Sequence, residues 1–136
     1  MKKIEHVGVG GAGSESREQQ ALVSWYRQAG RRLLGLPESA LLIAIPNGGA
    51  RSAITGARLR AEGVVAGVPD LLLAWPSGGR AGLWIELKRT RGGRLSAAQE
   101  AVIDDLRSCG YAVAVALGWL RAAEIIVRYV RADGEV

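Results

Sequence analysis

Residues 67–89 read GVPDLLLAWPSGGRAGLWIELKR. Two apolar runs, Leu71–Trp75 and Leu83–Lys88, flank Pro76-Ser77-Gly78-Gly79. Apolar runs bounded by such turn residues predict a β-hairpin. Side chains alternate along a strand, so Leu83, Ile85 and Leu87 share one face, and Trp84, Glu86 and Lys88 share the other. Asp70 opens the first strand. A turn near Gly78-Gly79 brings it beside the Glu86 end of its partner. Two carboxylates and an ammonium then meet at one end of a sheet, although charge inside packed strands is costly unless it is paired or bound.

Working outward, the pattern is helical from about Ser14 to Ala29, with Leu22, Trp25 and Tyr26 at suitable spacing. Leu41–Ile45 predicts a short strand ended by Pro46-Asn47-Gly48-Gly49. Residues 50–66 are Arg-rich and read as partly helical. Ser96–Ser108 predicts a helix stopped by Gly110, Tyr111–Leu117 a strand, and Ala122–Val130 a closing helix. The order is helix, three strands, helix, strand, helix. A hairpin and a helical crossover give a mixed sheet flanked by helices, an α/β layer architecture. The Gly-rich stretch within residues 1–13 is expected to be a mobile lead-in to a single domain over 14–136.

At 136 residues the chain is long enough for one domain with a real core. Hydrophobic residues make up 49% and charged residues 23%, which suits a globular chain rather than a disordered one. No run approaches the roughly 18 apolar residues of a membrane helix, and no apolar stretch follows Met1-Lys2-Lys3 to make a secretory signal. The single Cys109 rules out an internal disulfide, fits a reducing cytoplasm, and is expected to pack as a small apolar residue. His6 is the only histidine, which excludes a histidine-based nuclease or a zinc cluster. Gly8 to Gly13 fits G-x-G-x-x-G, but a poor strand precedes it and no acid stands where a ribose ligand is expected.

The net charge of +5 suits a phosphate-rich partner. Lys2, Lys3 and Lys88 are the only lysines among 18 basic residues. A chain that otherwise chooses arginine keeps one lysine two residues after Glu86, which hints at work a permanently charged guanidinium cannot do. Two readings of the cluster stand open. Asp70 and Glu86 can hold Mg²⁺ or Mn²⁺ between them for phosphodiester hydrolysis, with Lys88 acting on the attacking water. Alternatively, the acids and Lys88 or Arg89 form a plain cross-strand ion pair.

Pro69-Asp70 followed by Glu86-Leu87-Lys88 resembles the signature of the PD-(D/E)xK nuclease superfamily. Ser14-Glu15-x-x-x-Gln19, Pro46-Asn47-Gly48-Gly49 and Leu95-Ser96-x-x-Gln99 are similar to further motifs of its VRR-NUC branch, in the family's order. The resemblance implies a restriction-endonuclease-like αβββαβ core, and Mg²⁺ or Mn²⁺ held by Asp70, Glu86, the Leu87 carbonyl and Glu15. It also implies Lys88 acting on the nucleophilic water and Gln99 bordering the site. Each helix residue has a plainer reading as well: Glu15 favours a helix start, while Gln19 and Gln99 each fit a capping box. Glu18 rivals Glu15 on the same helix, and Asn47 is a natural turn residue. DNA contacts are expected from Gln19, Asn47, Arg51, Arg58, Arg60, Arg89, Arg91 and Arg94. The implied activity is that of a metal-dependent, structure-specific DNA endonuclease similar to Holliday-junction resolvases. The rivals are a flap- or restriction-type nuclease and a non-catalytic basic DNA-binding module. Paired cuts across a four-way junction call for a homodimer, with Ile125, Ile126, Tyr129, Trp75 and Trp119 as candidate interface residues; the same positions read equally well as completing the monomer core, Ile125 and Ile126 above all.

Overall fold

Why Leu83, Ile85 and Leu87 are almost wholly buried follows from the place of their strand. The computed structural model describes residues 12–46, 53–89, 91 and 93–132. Its first helix, α1 (Ala12–Trp25), runs on through a π-helical stretch (Tyr26–Gly30) into one further turn, α2 (Arg31–Leu33). Then come β1 (Leu42–Ala44), α3 (Ala53–Ala61), β2 (Leu71–Leu73), β3 (Leu83–Lys88), α4 (Ala97–Ser108), β4 (Ala112–Leu117) and α5 (Trp119–Arg131). The sheet order is β1-β2-β3-β4. The first two pairings are antiparallel, and β4 runs parallel to β3. This is the mixed α/β sheet expected from the sequence.

Register decides which residues share a face. Leu71 pairs with Ile85, and Leu73 with Leu83. Leu83, Ile85 and Leu87 pair with Ala112, Ala114 and Ala116. That face meets Leu22 and Tyr26 from the first helix and Ala122, Ile125, Ile126 and Tyr129 from α5 in one core. Full burial of each large aliphatic side chain stabilises by about 1.5–3 kcal/mol. The alanines on β4 and on α5 let the helix lie close to the sheet. On the opposite face, α4 packs against β4, and its first turn brings Gln99 to Glu86 and Lys88 on β3. An inner strand covered on both faces has no solvent-facing side, so Glu86 is only 3% exposed.

Between β2 and β3 the chain reverses at Gly78-Gly79, both at positive φ, with Ser77 and Arg80 exchanging main-chain hydrogen bonds. This is the primed turn that matches strand twist, and it needs residues without a Cβ penalty at both central positions. β2 is shorter than its apolar run because the Trp75 N–H bonds back to the Leu73 carbonyl rather than across to β3. Tyr129 and Ser77 tie this loop to α5, through the Trp75 carbonyl and the Tyr129 carbonyl respectively.

Two expectations are corrected. Cys109 is exposed: it follows the last turn of α4, off the face that buries Ile103. Ile125, Ile126 and Tyr129 belong to the monomer core, and Trp75 and Trp119 are half-buried against it. Helical spacing cannot tell a core stripe from an interface stripe, and here the sheet takes it. Of the lead-in expected over residues 1–13, residues 1–11 lie outside the described residues, as do Asn47 and Arg51, while Ala12 and Gly13 already belong to α1.

Candidate active site

Gly67-Val68-Pro69-Asp70 delivers the first acid. Gly67 has φ +90, and a Cβ there would stand 2.5 Å from the Ala98 main chain. The glycine therefore sets how closely the first turn of α4 approaches the Asp70 strand. Asp70 lies one step before the Leu71–Ile85 pair, beside Glu86. Its Oδ2 accepts the Leu87 N–H at 2.8 Å, continuing the ladder with a side chain where β2 has ended. The N–H and C=O of one strand residue point to the same side, so the Leu87 carbonyl is directed toward Asp70. The Lys88 carbonyl points the other way and accepts the Gly118 N–H.

Glu86 and Lys88 meet α4 through Gln99. The Gln99 amide nitrogen donates to Glu86 Oε1 at 2.9 Å. Its oxygen accepts from Lys88 Nζ at 3.3 Å and from the Ser96 N–H at 2.9 Å. The last of these, with the Gln99 N–H donating to Ser96 Oγ, forms a full capping box. One side chain thus completes the helix cap and also reaches Glu86 and Lys88. Lys88 Nζ also lies 3.4 Å from Glu86 Oε1.

The remaining oxygen, Glu86 Oε2, is buried and has no hydrogen-bond partner. An unsatisfied buried carboxylate oxygen is costly and calls for an explanation. Burial, then the charge of Asp70, pushes the Glu86 carboxyl up to about 7, against the pull of Lys88. Burial likewise raises Asp70; the Leu87 N–H opposes the rise, Glu15 adds to it, and the charge of Lys88 and a hydrogen bond shared with the Glu86 carboxyl oppose it further. Two acids that resist joint ionisation are stabilised by a cation between them.

The donor set fits a hard divalent ion. Among the described residues no three His, Cys, Asp or Glu side chains gather as a metal cluster. Mg²⁺, however, commonly takes one or two carboxylates and completes its shell with water and phosphate oxygens. Asp70, the orphaned Glu86 oxygen and the Leu87 carbonyl supply that partial set.

Glu15, Gln19, Asp70 and Leu87 line one groove of about 770 Å³ between α1 and the β1 edge. Glu15 lies close enough for its charge to raise both acids. Glu18 has a different task, since its Oε2 accepts the Trp119 N–H at 2.6 Å and caps the start of α5. Arg89, Arg91 and Arg94 follow Lys88 on the segment leading to Gln99. Arg58 and Arg60 are exposed on α3, which packs loosely on the rest of the fold, and Arg58 pairs with Glu62 at the surface. The groove also runs past Ser16, Gln20, Ser24, Arg27 and Gln28. These were not singled out from the sequence, although the spacing of four from Ser16 through Gln20 and Ser24 to Gln28 was there to read.

A mixed four-stranded sheet between helices, with acids and a lysine at the ends of its two inner strands, defines an α/β domain of nuclease type. The VRR-NUC domain model matches residues 13–119, and the chain belongs to that family. A solved structure of a VRR_NUC domain protein shares 26% sequence identity and a TM-score of 0.75, over 90% of this chain and 92% of that chain. Among curated proteins there is no match. Among the described residues no helix is long and apolar enough to cross a membrane.

Proposed function

We propose that the protein is a metal-dependent endonuclease that hydrolyses phosphodiester bonds in branched DNA, in the manner of Holliday-junction resolvases. The observation that carries the reading is the buried, partnerless Glu86 Oε2 beside a second acid that is itself raised by burial. A plain ion pair leaves that oxygen and the second carboxylate unexplained. So does a non-catalytic basic module.

Asp70, Glu86 and the Leu87 carbonyl would hold Mg²⁺ or Mn²⁺. Bound there, the ion supplies Lewis-acid polarisation of a phosphate oxygen and a more acidic water. Asp70 is kept in place by the Leu87 N–H. Lys88, aimed by Gln99, puts a compact positive charge and three donors beside Glu86, where it can orient the attacking water or offset charge growing on the phosphoryl group. Glu15 adds negative potential on the helix side, which favours the cation and completes the acidic set. Gln19, one turn on along the same groove wall, would touch the substrate. Arg89, Arg91 and Arg94 supply phosphate contacts that position the DNA without reading its sequence.

Resolution of a four-way junction needs two cuts related by symmetry, so a two-fold dimer is part of this reading. The residues that would form it are not those of the α5 stripe. Labelled four-way junction, flap and duplex DNA incubated with the protein and Mg²⁺ test the proposal. Cleavage is expected with Mg²⁺ and not in EDTA, with the junction cut in paired positions. Asp70→Asn and Glu86→Gln should each abolish it while DNA binding persists. Cleavage in EDTA, or by either variant, overturns the reading.

A further inference from the structure

The groove that starts at the acids continues along α1 far beyond what hydrolysis at one phosphate requires. Its polar wall is built from positions four apart: Ser16, Gln20, Ser24 and Gln28. Gln20 donates to Ser16 and Gln28 to Ser24, so hydroxyls and amides lie in two tied pairs. A parallel row runs from Glu15 to Arg27. The facing wall is the β1 edge and the residues after it, with Leu42, Ala44 and Ile45 lining the groove and Leu87 joining from β3.

We propose that this groove is the track of one unpaired nucleic-acid strand, with Arg27 holding a phosphate at the end remote from the acids. The inference rests on the nuclease reading for the chemistry at its other end. Four features carry it.

The length fits. Twelve residues separate Glu15 from Arg27, about 18 Å of helix, which is room for a strand several nucleotides long rather than a single phosphate.

The charge is polarised. Glu15, Asp70 and Glu86 crowd one end. Arg27, at the other, is exposed, and its guanidinium makes no ion pair or hydrogen bond among the described residues. A phosphate is attracted there and is not competed for by a neighbouring carboxylate.

The walls differ in chemistry. A duplex presents its phosphates and sugars outward and leaves an apolar wall unused. An unpaired strand exposes base faces to apolar side chains and base edges to amides and hydroxyls.

The helix is adjusted along the groove. In an α-helix, residues four apart drift by about 40° per step, so such a row winds off one face. The stretch Tyr26–Gly30 is π-helical, and its wider turn holds more residues. This turns Arg27 and Gln28 back toward the row. Gly30 accommodates the wide turn, since a Cβ there would stand 2.7 Å from the Trp25 ring.

Fluorescence anisotropy with a short fluorescent single-stranded oligonucleotide, in EDTA so that nothing is cut, tests the track. Arg27→Gln is expected to weaken binding several-fold and to reduce the slope of log affinity against log salt by about 0.7, one single-strand phosphate contact. Arg27→Lys should keep most of the affinity, and Arg128→Gln on α5 should change neither quantity. Unchanged affinity and slope in Arg27→Gln, or equal loss in Arg128→Gln, overturns the track. So does a duplex of the same sequence that competes as well as the single strand. Cleavage with Mg²⁺, followed alongside, separates the two readings. A protein that cuts DNA without Arg27 dependence loses the track and keeps the nuclease. One that depends on Arg27 yet never cuts keeps the track and loses the nuclease.

Discussion

Asp70→Asn should stabilise the metal-free protein while destroying its activity. Asparagine keeps an oxygen for the Leu87 N–H, so the β2 end holds, and Glu86 keeps both Lys88 and Gln99 as partners. What disappears is a second buried negative charge. The Glu86 carboxyl stands at about 7 in the fold against 4.5 as its ordinary value. A carboxyl raised on folding binds more protons in the native state than in the unfolded one between these two values. Its stability contribution is therefore greatest below about 4.5 and is lost as pH rises through about 7. The full loss is on the order of 3 kcal/mol, at about 1.4 kcal/mol per unit.

The charge of Asp70 is the second cause of that rise, after burial. Its removal should recover less than half of the loss, on the order of 1 kcal/mol, or about 3–5 °C in Tm for a domain of this size. Thermal melts in EDTA from about pH 5 to about pH 8 read this directly. Wild type should lose stability across the range, and the variant should lose less. Mg²⁺ should restore wild type at the upper end and leave the variant unmoved. If Asp70→Asn lowers Tm at the upper end and leaves the pH slope as it was, Asp70 serves as a structural acceptor and the argument from paired acids fails.

The two acids of α1 should separate cleanly. Glu18→Ala removes the α5 cap and should cost about 1 kcal/mol of stability with cleavage retained, whereas Glu15→Gln should leave Tm alone and slow cleavage. Melting curves and cleavage rates for both variants decide this, and a reversal of the pattern would make Glu18 the functional acid. Gly67→Ala should lower Tm by destabilising the fold by about 1–3 kcal/mol, because it combines an unfavourable φ with a clash against the Ala98 main chain. It should also reduce cleavage by displacing Gln99; a variant with wild-type melting and activity would refute the close approach. Lys88→Arg should slow cleavage by about 10²–10⁴-fold despite keeping the charge. Gly93 presses on Lys88, since a Cβ at Gly93 would stand 2.8 Å from Lys88 Cβ, and a forked guanidinium does not reproduce a point charge. A wild-type rate in single-turnover cleavage would make Lys88 a generic cation.

The hairpin and the crossover were legible because each rests on local chemistry: period-two apolar runs, paired glycines at a turn, and a serine three residues before a glutamine. Asp70, Glu86 and Lys88 were found because charges interrupt those same runs. The α5 stripe could not be assigned to core or interface from sequence for a physical reason, since a helix apolar on one face records only that the face is covered. Whether a sheet or a second chain covers it depends on β4, whose alanines at 112, 114 and 116 bring α5 down onto the sheet. Glu15 and Glu18 could not be separated by sequence either. Three residues apart on a helix, they lie near one face, and only the position of Trp119, a hundred residues later, assigns one of them to a cap.

Three charges sit on the hairpin because β3 is an inner strand, not in spite of it. At an edge, Glu86 would be hydrated, its carboxyl would ionise freely, and its attraction for a cation would be screened. Between α4 and its neighbouring strands, the acid is deprived of water, pushed toward neutrality by Asp70 and held by Gln99 and Lys88 on one oxygen alone. That leaves the other oxygen without a partner and in low dielectric, where a divalent ion gains most. Gln99 makes the arrangement cooperative: the side chain that completes the α4 cap also fixes Lys88 and Glu86. The start of that helix and the geometry of the acids therefore form or fail together. The instability that the site brings at neutral pH and the affinity it would offer a metal ion under the proposed function have one source, the burial of Glu86.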